Sequence, residues 1–376
     1  MRSSATEFVE SLSPWPEEFG LGRMHELLAK LGHPERQVQA LHVVGTNGKS
    51  TTTRMIEALL LAEGVLAGAY TSPHVMGWSE RIRVGGEEAD FERAIERVRP
   101  AAEDVGATQF ETLTAAALAE FAAAGATAAA VEAGLGGRLD ATNVLRTATV
   151  VLTNVGLEHV DVLGSTREAI AAEKLAVIKR GCGVVLGEPD WEDLARASGA
   201  GEVAVETGGN LALARAAVEA FLGYVVDLAP ARSVRLPGRL EIVAEHPLEI
   251  WDGAHNPDGV LFLLPRLPDQ EFVLVASVLA DKDAETMLAL LSRRAPRLVA
   301  TRSENPRALA ADELARRAEP FFRSVEAVPD PCAALERGRA LAGESGALLV
   351  AGSLYLLAEL AAVRPARLPW DSSASE

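Results

Sequence analysis

The chain predicts an α/β fold built as two doubly wound, mostly parallel sheets, and three observations carry that reading. A short apolar run at 41–44 ends in Gly45-Thr46-Asn47-Gly48-Lys49-Ser50-Thr51 and passes into helix-forming sequence and then another apolar run, the order of a βαβ unit. The alternation restarts after Leu236-Pro237-Gly238-Arg239, where Pro-Gly punctuates the chain. With 376 residues, 48% of them apolar, there is material for two cores, expected as residues 1–236 and 237–376.

The elements follow in order. Met24, Leu27, Leu28 and Leu31 recur at helical spacing before Gly32, so a short helix precedes the first strand. After the glycine loop, Met55, Ile56, Leu59 and Leu60 mark one helix face that stops at Gly64, and 65–70 reads as the next strand. Thr71-Ser72-Pro73-His74 then sits at a carboxyl strand end, where open α/β sheets bind ligands; the tetrapeptide reads equally as a Ser-Pro turn. Residues 126–131 form a small-residue strand that delivers Glu132 before Gly134-Leu135-Gly136-Gly137-Arg138-Leu139-Asp140.

Residues 148–154 give another strand, and Glu158-His159-Val160-Asp161 reads as a loop. Ser165-Thr166-Arg167-Glu168 has the form of a capping box opening a helix through Lys179, with Glu173 and Lys174 near its middle. A short strand follows at 183–187 and a helix at 210–222. In the second half, strands are expected near 248–251, 272–276, 298–301, 325–328 and 348–350, with helices between. Asn256 as N-cap with Pro257 at the first helical position explains those two residues, but not Asp252 or His255. Residues 364–376 read as a frayed tail.

The glycine loop is the centre of the chemistry. Backbone N–H groups and a helix N-terminus there face phosphate oxygens, Lys49 adds a point charge, and the Ser50 and Thr51 hydroxyls are candidate Mg²⁺ ligands. The first glycine of the commonest P-loop spacing falls on Val43, which points to the shorter Gly-Thr-Asn-Gly-Lys form. A plain Gly-Asn-Gly turn before a helix is the competing reading, and Lys49 with two hydroxyls favours phosphate. Glu132, at a strand end and followed by glycines, is placed like a Mg²⁺-directed carboxylate; a solvated loop glutamate is the alternative.

A formal net charge of −17 and a pI near 5.0 speak against a nucleic-acid partner, so anionic substrates must meet local positive pockets. Cys182 and Cys332 give no disulfide framework and point to a reducing, cytoplasmic setting. Residues 1–13 do not read as a secretory signal, and Glu120 and Glu132 interrupt the Ala-rich stretch 115–133, so no membrane span is expected.

Taken together, Phe19-Gly20-Leu21, Gly45 to Thr51, Thr71 to His74 with Glu80-Arg81-Ile82-Arg83, Phe110-Glu111, Glu132 to Asn143, His159, Glu173-Lys174, Pro237-Gly238-Arg239, Asp252 to Pro257, Asp281-Lys282-Asp283 and Ala351 to Tyr355 resemble the folylpolyglutamate synthase and dihydrofolate synthase family, within the ATP-dependent Mur-type amide ligases. The ordered set covers nearly the whole chain. It implies a Mur-ligase-type P-loop ATPase domain followed by a smaller Rossmann-like domain. The implied reaction adds L-glutamate to a folate through an acyl phosphate, with dihydropteroate as a second acceptor.

The resemblance further implies one Mg²⁺ on Ser72 and Glu132, with Thr51 or Ser50 as the P-loop candidate beside them, and a second on His159 with a carbamylated Lys174. Asn47, Gly48, Lys49, Ser50 and Thr51 would hold the ATP phosphates, and Asn210, Arg239, Asp252 and His255 would close on the nucleotide. Gln109, Phe110, Glu111, Arg138 and Asp140 would line the folate side. Lys49, Lys174, His159, Arg138 and His255 are the residues expected to carry catalysis, in a monomer. The rival classes are another Mur-type amino-acid ligase and a P-loop ATP switch without ligase activity. About forty residues precede Gly45, short of the separate UDP-sugar domain of the cell-wall enzymes.

Overall fold

The computed structural model describes residues 3–363, so the expectation for residues 364–376 lies outside the described residues. The chain divides after Val234 into two compact units. That is two residues before the boundary read from the Pro-Gly pair. The Pro-Gly pair belongs to the second unit: the Gly238 N–H donates to Glu241 and its carbonyl accepts from the Gly253 N–H at 2.8 Å.

The first unit holds eight strands, β1 (Gln39–Val44), β2 (Ala67–Tyr70), β3 (Ile82–Val84), β4 (Glu87–Glu88), β5 (Ala128–Glu132), β6 (Thr147–Leu152), β7 (Gly183–Leu186) and β8 (Val203–Val205), in the order β4-β3-β2-β5-β1-β6-β7-β8. All pairs are parallel except β2 with β3 and β3 with β4. The helix Lys49–Ala62 carries the chain from β1 over β5 to β2, and β6 lies on the other side of β1, so strand order reverses about β1. The loops after β1, β5 and β6 therefore meet at one sheet edge, where open α/β sheets bind ligands.

Alanine is a weak strand former, yet Ala128-Ala129-Ala130 is buried in mid-sheet, which shows packing overriding propensity. Small residues let helices approach closely: a Cβ on Gly68 of β2 would lie 2.4 Å from the Phe121 ring. One sheet face is covered by the helices Ser4–Ser11, Gly22–Lys30, Phe91–Val105 and Gln109–Ala123, the other by Lys49–Ala62 and Asn210–Leu222. A third apolar cluster joins β6 and β7 to the helix Arg167–Leu175.

The second unit holds β9 (Glu241–Glu245), β10 (Leu248–Trp251), β11 (Val273–Ala276), β12 (Arg297–Ala300), β13 (Ser324–Ala327) and β14 (Ala347–Ala351), in the order β13-β12-β11-β14-β10-β9. Only β9 is antiparallel, and a single cluster of buried aliphatic side chains forms the core. Among the described residues no helix is long and apolar enough to cross a membrane.

Several local expectations need correction. Thr166, not Ser165, caps the helix after His159, accepting from the Ala169 N–H at 3.2 Å, and that helix ends at Leu175 rather than Lys179. Residues Val160–Leu163, read as loop, form one short helical turn. Strands β3, β4, β8 and β9 are absent from the sequence reading. They are short, charged or at sheet edges, where apolar periodicity is weak.

Candidate active site

The phosphate-type loop is shaped by the strand next to it. Gly45 has φ 143°, and a Cβ there would fall 1.9 Å from the Thr153 hydroxyl, so only glycine fits. Beyond β6, Asn154 receives the Asn47 N–H on its side-chain oxygen at 3.0 Å and donates its own amide to the Asn47 carbonyl at 3.0 Å. The Thr46 N–H donates to the Asn154 carbonyl. Gly48 has φ 83° and lies so close to Asn210 that a Cβ would meet its Oδ1 at 2.5 Å.

Helix Lys49–Ala62 begins there with no side chain capping it, which leaves its first N–H groups directed at the loop as an anion would require. Lys49 folds back, its Nζ donating to the Thr46 carbonyl at 3.1 Å. Ser50 is buried and Thr51 half-buried.

On one side of this loop stands Glu132. It ends β5 in register with Val43, is 2% exposed, and accepts the Ser72 N–H on Oε2 at 3.0 Å. A buried carboxylate beside a serine and a phosphate-type loop is an oxygen donor set of the kind Mg²⁺ takes, so Ser72 and Glu132 fit the expected ion. Among the described residues no three His, Cys, Asp or Glu side chains cluster as a metal site, so any ion here relies on mixed donors.

On the other side stands Lys174, 1% exposed, with Nζ donating to the Gly45 carbonyl at 2.9 Å and to Glu158 Oε1 at 2.7 Å. Burial lowers its pKa while Glu158 works in the opposite direction. Burial raises the Glu158 carboxyl, but Lys174 and Lys49 outweigh that and hold it down at about 2. Glu158 is a site residue to which the sequence reading assigned no role. His159, next in the chain, is exposed and holds a left-handed backbone with φ 47°.

The folate-side set is divided. Gln109 is occupied with structure: its side chain donates to the Val9 carbonyl at 2.9 Å and its N–H to the Ser13 carbonyl. Glu111 completes a capping box with Thr108 and pairs with Arg23 at 2.7 Å. Phe110 lies over Gly134, where a Cβ would meet the ring at 2.5 Å, and near Tyr70. Arg138 is exposed and pairs with Glu173 at 2.9 Å, while Gly137 packs on the Glu173 and Lys174 carbonyls. Asp140 is buried, accepting the Leu135 and Thr142 N–H groups. Burial raises its pKa against the pull of those hydrogen bonds.

In the second unit β10 delivers Asp252, whose two oxygens accept the Leu240 and Ala254 N–H groups at 2.8 Å each. Burial raises its pKa and the Arg239 charge opposes this. His255 Nδ1 lies 2.8 Å from the Gly253 carbonyl, and Asn256 caps the next helix as expected.

Two family models match: the Mur ligase middle domain over residues 43–185 and the Mur ligase glutamate ligase domain over 238–354. Dihydrofolate synthase/folylpolyglutamate synthase of Escherichia coli K12 is 32% identical to this chain over 414 residues, covering 97% of it and 96% of the relative. A solved Mycobacterium tuberculosis folylpolyglutamate synthase complexed with ADP superposes with a TM-score of 0.88 at 28% identity, covering 96% of this chain and 98% of that one. A Yersinia pestis bifunctional folylpolyglutamate synthase/dihydrofolate synthase complexed with AMPPNP and Mn gives 0.85 at 30% identity, covering 96% and 99%. With that identity over nearly its whole length, and with a glycine loop, Glu132 and Lys174 set around one sheet edge, the chain belongs to the dihydrofolate synthase/folylpolyglutamate synthase family.

Proposed function

We propose that this chain is an ATP- and Mg²⁺-dependent ligase that joins L-glutamate to a folate through an acyl phosphate, with dihydropteroate as a second acceptor. The observation that carries the reading is the contact of Lys174 with the Gly45 carbonyl, which joins the helix after His159 to the phosphate-type loop. A bare anion loop has no use for that lysine, and an ATP switch gives no role to Glu132, His159 and Lys174 together.

Asn47 to Thr51 hold the ATP phosphates, with Asn154 fixing the loop from behind and Asn210, close against Gly48, on the nucleotide. A substrate carboxylate attacking the γ-phosphate meets like charge, which Lys49 reduces by leaving the Thr46 carbonyl for phosphate oxygens. The carboxylate oxygen bonds to phosphorus as the bond to ADP breaks; the glutamate amine then displaces phosphate and loses a proton, leaving the amide. Ser72, Glu132 and the Ser50 or Thr51 hydroxyl would hold one Mg²⁺, and His159 with a carbamylated Lys174 would hold a second; when bound, the ions would supply charge neutralisation. The lowered Lys174 pKa supports that carbamate, since CO₂ adds only to a neutral amine.

Arg239, Asp252 and His255 of the second unit contact the nucleotide in this reading, and Arg138, Phe110 and Asp140 act on the folate side. Gln109 and Glu111 act there through the fold of their segment. The protein works as a cytoplasmic monomer, with Cys182 and Cys332 both free thiols. The test is purified protein with ATP, Mg²⁺ and L-glutamate plus either tetrahydrofolate or dihydropteroate, with products read by mass. A product one glutamate heavier, formed with one ADP, is expected; ATP hydrolysis without such a product overturns the ligase.

A further inference from the structure

The middle of β1 carries a histidine that the ligase reading leaves without work. His42 is fully buried, and its Nε2 lies 2.8 Å from the Thr142 hydroxyl oxygen. That hydroxyl donates its one proton to Asp140 Oδ1, so it must accept from His42, which fixes the tautomer with the proton on Nε2. Nδ1 is then a buried acceptor with no partner among the described residues. Burial, and then the Lys179 charge, keep the ring neutral, with its pKa at about 3. An unsatisfied buried acceptor is destabilising, so an apolar side chain would suit the core better. What His42 contributes in its place is one hydrogen bond, at the head of a chain that ends on a loop of the site.

Asp140 closes that loop. Its Oδ2 takes the Leu135 N–H at 2.8 Å and its Oδ1 the Thr142 N–H at 3.0 Å, so one carboxylate joins the two ends of the glycine-rich segment carrying Arg138. The P-loop is tied by Asn154, and Lys174 Nζ by Gly45 and Glu158, so the chain makes no hydrogen bond to either, although loop 134–140 packs on the Glu173 and Lys174 carbonyls. We propose that His42 is a positioning residue which, through Thr142 and Asp140, fixes the loop 134–140 from inside the sheet and so governs binding of the folate-side substrate without touching it. This rests on the ligase reading for its substrate.

The test uses the full chain with Thr142→Val, which removes the hydroxyl, and Thr142→Ser, which keeps it. Thr142→Val is expected to raise KM for the folate about ten-fold and leave KM for ATP within about two-fold, while Thr142→Ser restores the folate value. An unchanged folate KM in Thr142→Val, or a Thr142→Ser variant as impaired as Thr142→Val, overturns the proposal. If Thr142→Val does not fold, His42→Phe breaks the chain at its other end and is read by the same criteria. Hydrogen exchange separates this claim from the ligase reading: the Leu135 and Thr142 amides should exchange about ten-fold faster in Thr142→Val whatever the substrate. Unchanged exchange overturns the positioning role, whereas a wild type inert towards folates with altered variant exchange overturns only the substrate.

Discussion

Lys174 and Glu158 form a buried ion pair beside the loop, and their coupling predicts a pH signature. The Glu158 carboxyl is held at about 2 against an ordinary 4.5, so its contribution to stability is complete above 4.5 and is lost as pH falls through 2. In enzyme freed of CO₂, where Lys174 is an unmodified amine, Glu158→Gln leaves it without its counterion and is expected to cost about 3 kcal/mol near neutrality. Urea unfolding of both proteins should show the gap narrowing below pH 4.5; a pH-independent gap would contradict the pairing. The sequence made Lys49, Glu132 and Lys174 legible because each stands at a fixed offset from a strand end or glycine. It did not expose Glu158 or Asn154, whose partners lie 16 and 107 positions away. Gln109 and Glu111 are the reverse case. Thr108-x-x-Glu111 has the form of a capping box and serves as one, whereas the family resemblance assigned Phe110-Glu111 to the substrate side.

Among elements, buried parallel strands were the most legible, since continuous apolar runs bounded by glycine have few other readings. Hairpin β3–β4 and edge strand β9 are short or bounded by charged residues and gave no such signal. Helix ends turned on single hydroxyls: Ser165 and Thr166 both suit an N-cap, and only the backbone at Thr166, extended with ψ 155°, decides between them. Thr166→Ala should therefore lower stability by about 1 kcal/mol, with Ser165→Ala near neutral. Thermal melts of the two variants check this; equal losses would return the cap to Ser165. The cap matters for chemistry as well, because this helix presents Lys174 in its last turn.

Across the molecule, the alternation of strand and helix was enough for the α/β class and two cores, but not for strand order, which depends on which crossovers skip a neighbour. Each unit keeps its apolar clusters to itself. A protein comprising residues 1–234 is thus expected to melt cooperatively with helical circular dichroism, yet to lack glutamate addition because Arg239, Asp252 and His255 are gone. Non-cooperative melting, or full turnover, would each refute half of that expectation.

The sealing of Lys174 has a consequence in time. An amine 1% exposed and gripped by Glu158 and Gly45 meets dissolved gas only when the surrounding segment breathes open, so under the proposed carbamylation addition and loss of CO₂ would both be slow against turnover. Enzyme stored in degassed buffer should start sluggishly and accelerate over many turnovers after a jump into bicarbonate, and enzyme moved the other way should fade gradually. Progress curves from the two histories would converge only late. An immediate steady rate from both would mean that the amine is reached freely or is never modified. The protein would then carry a record of the atmosphere it last equilibrated with, kept by the same two contacts that orient the lysine.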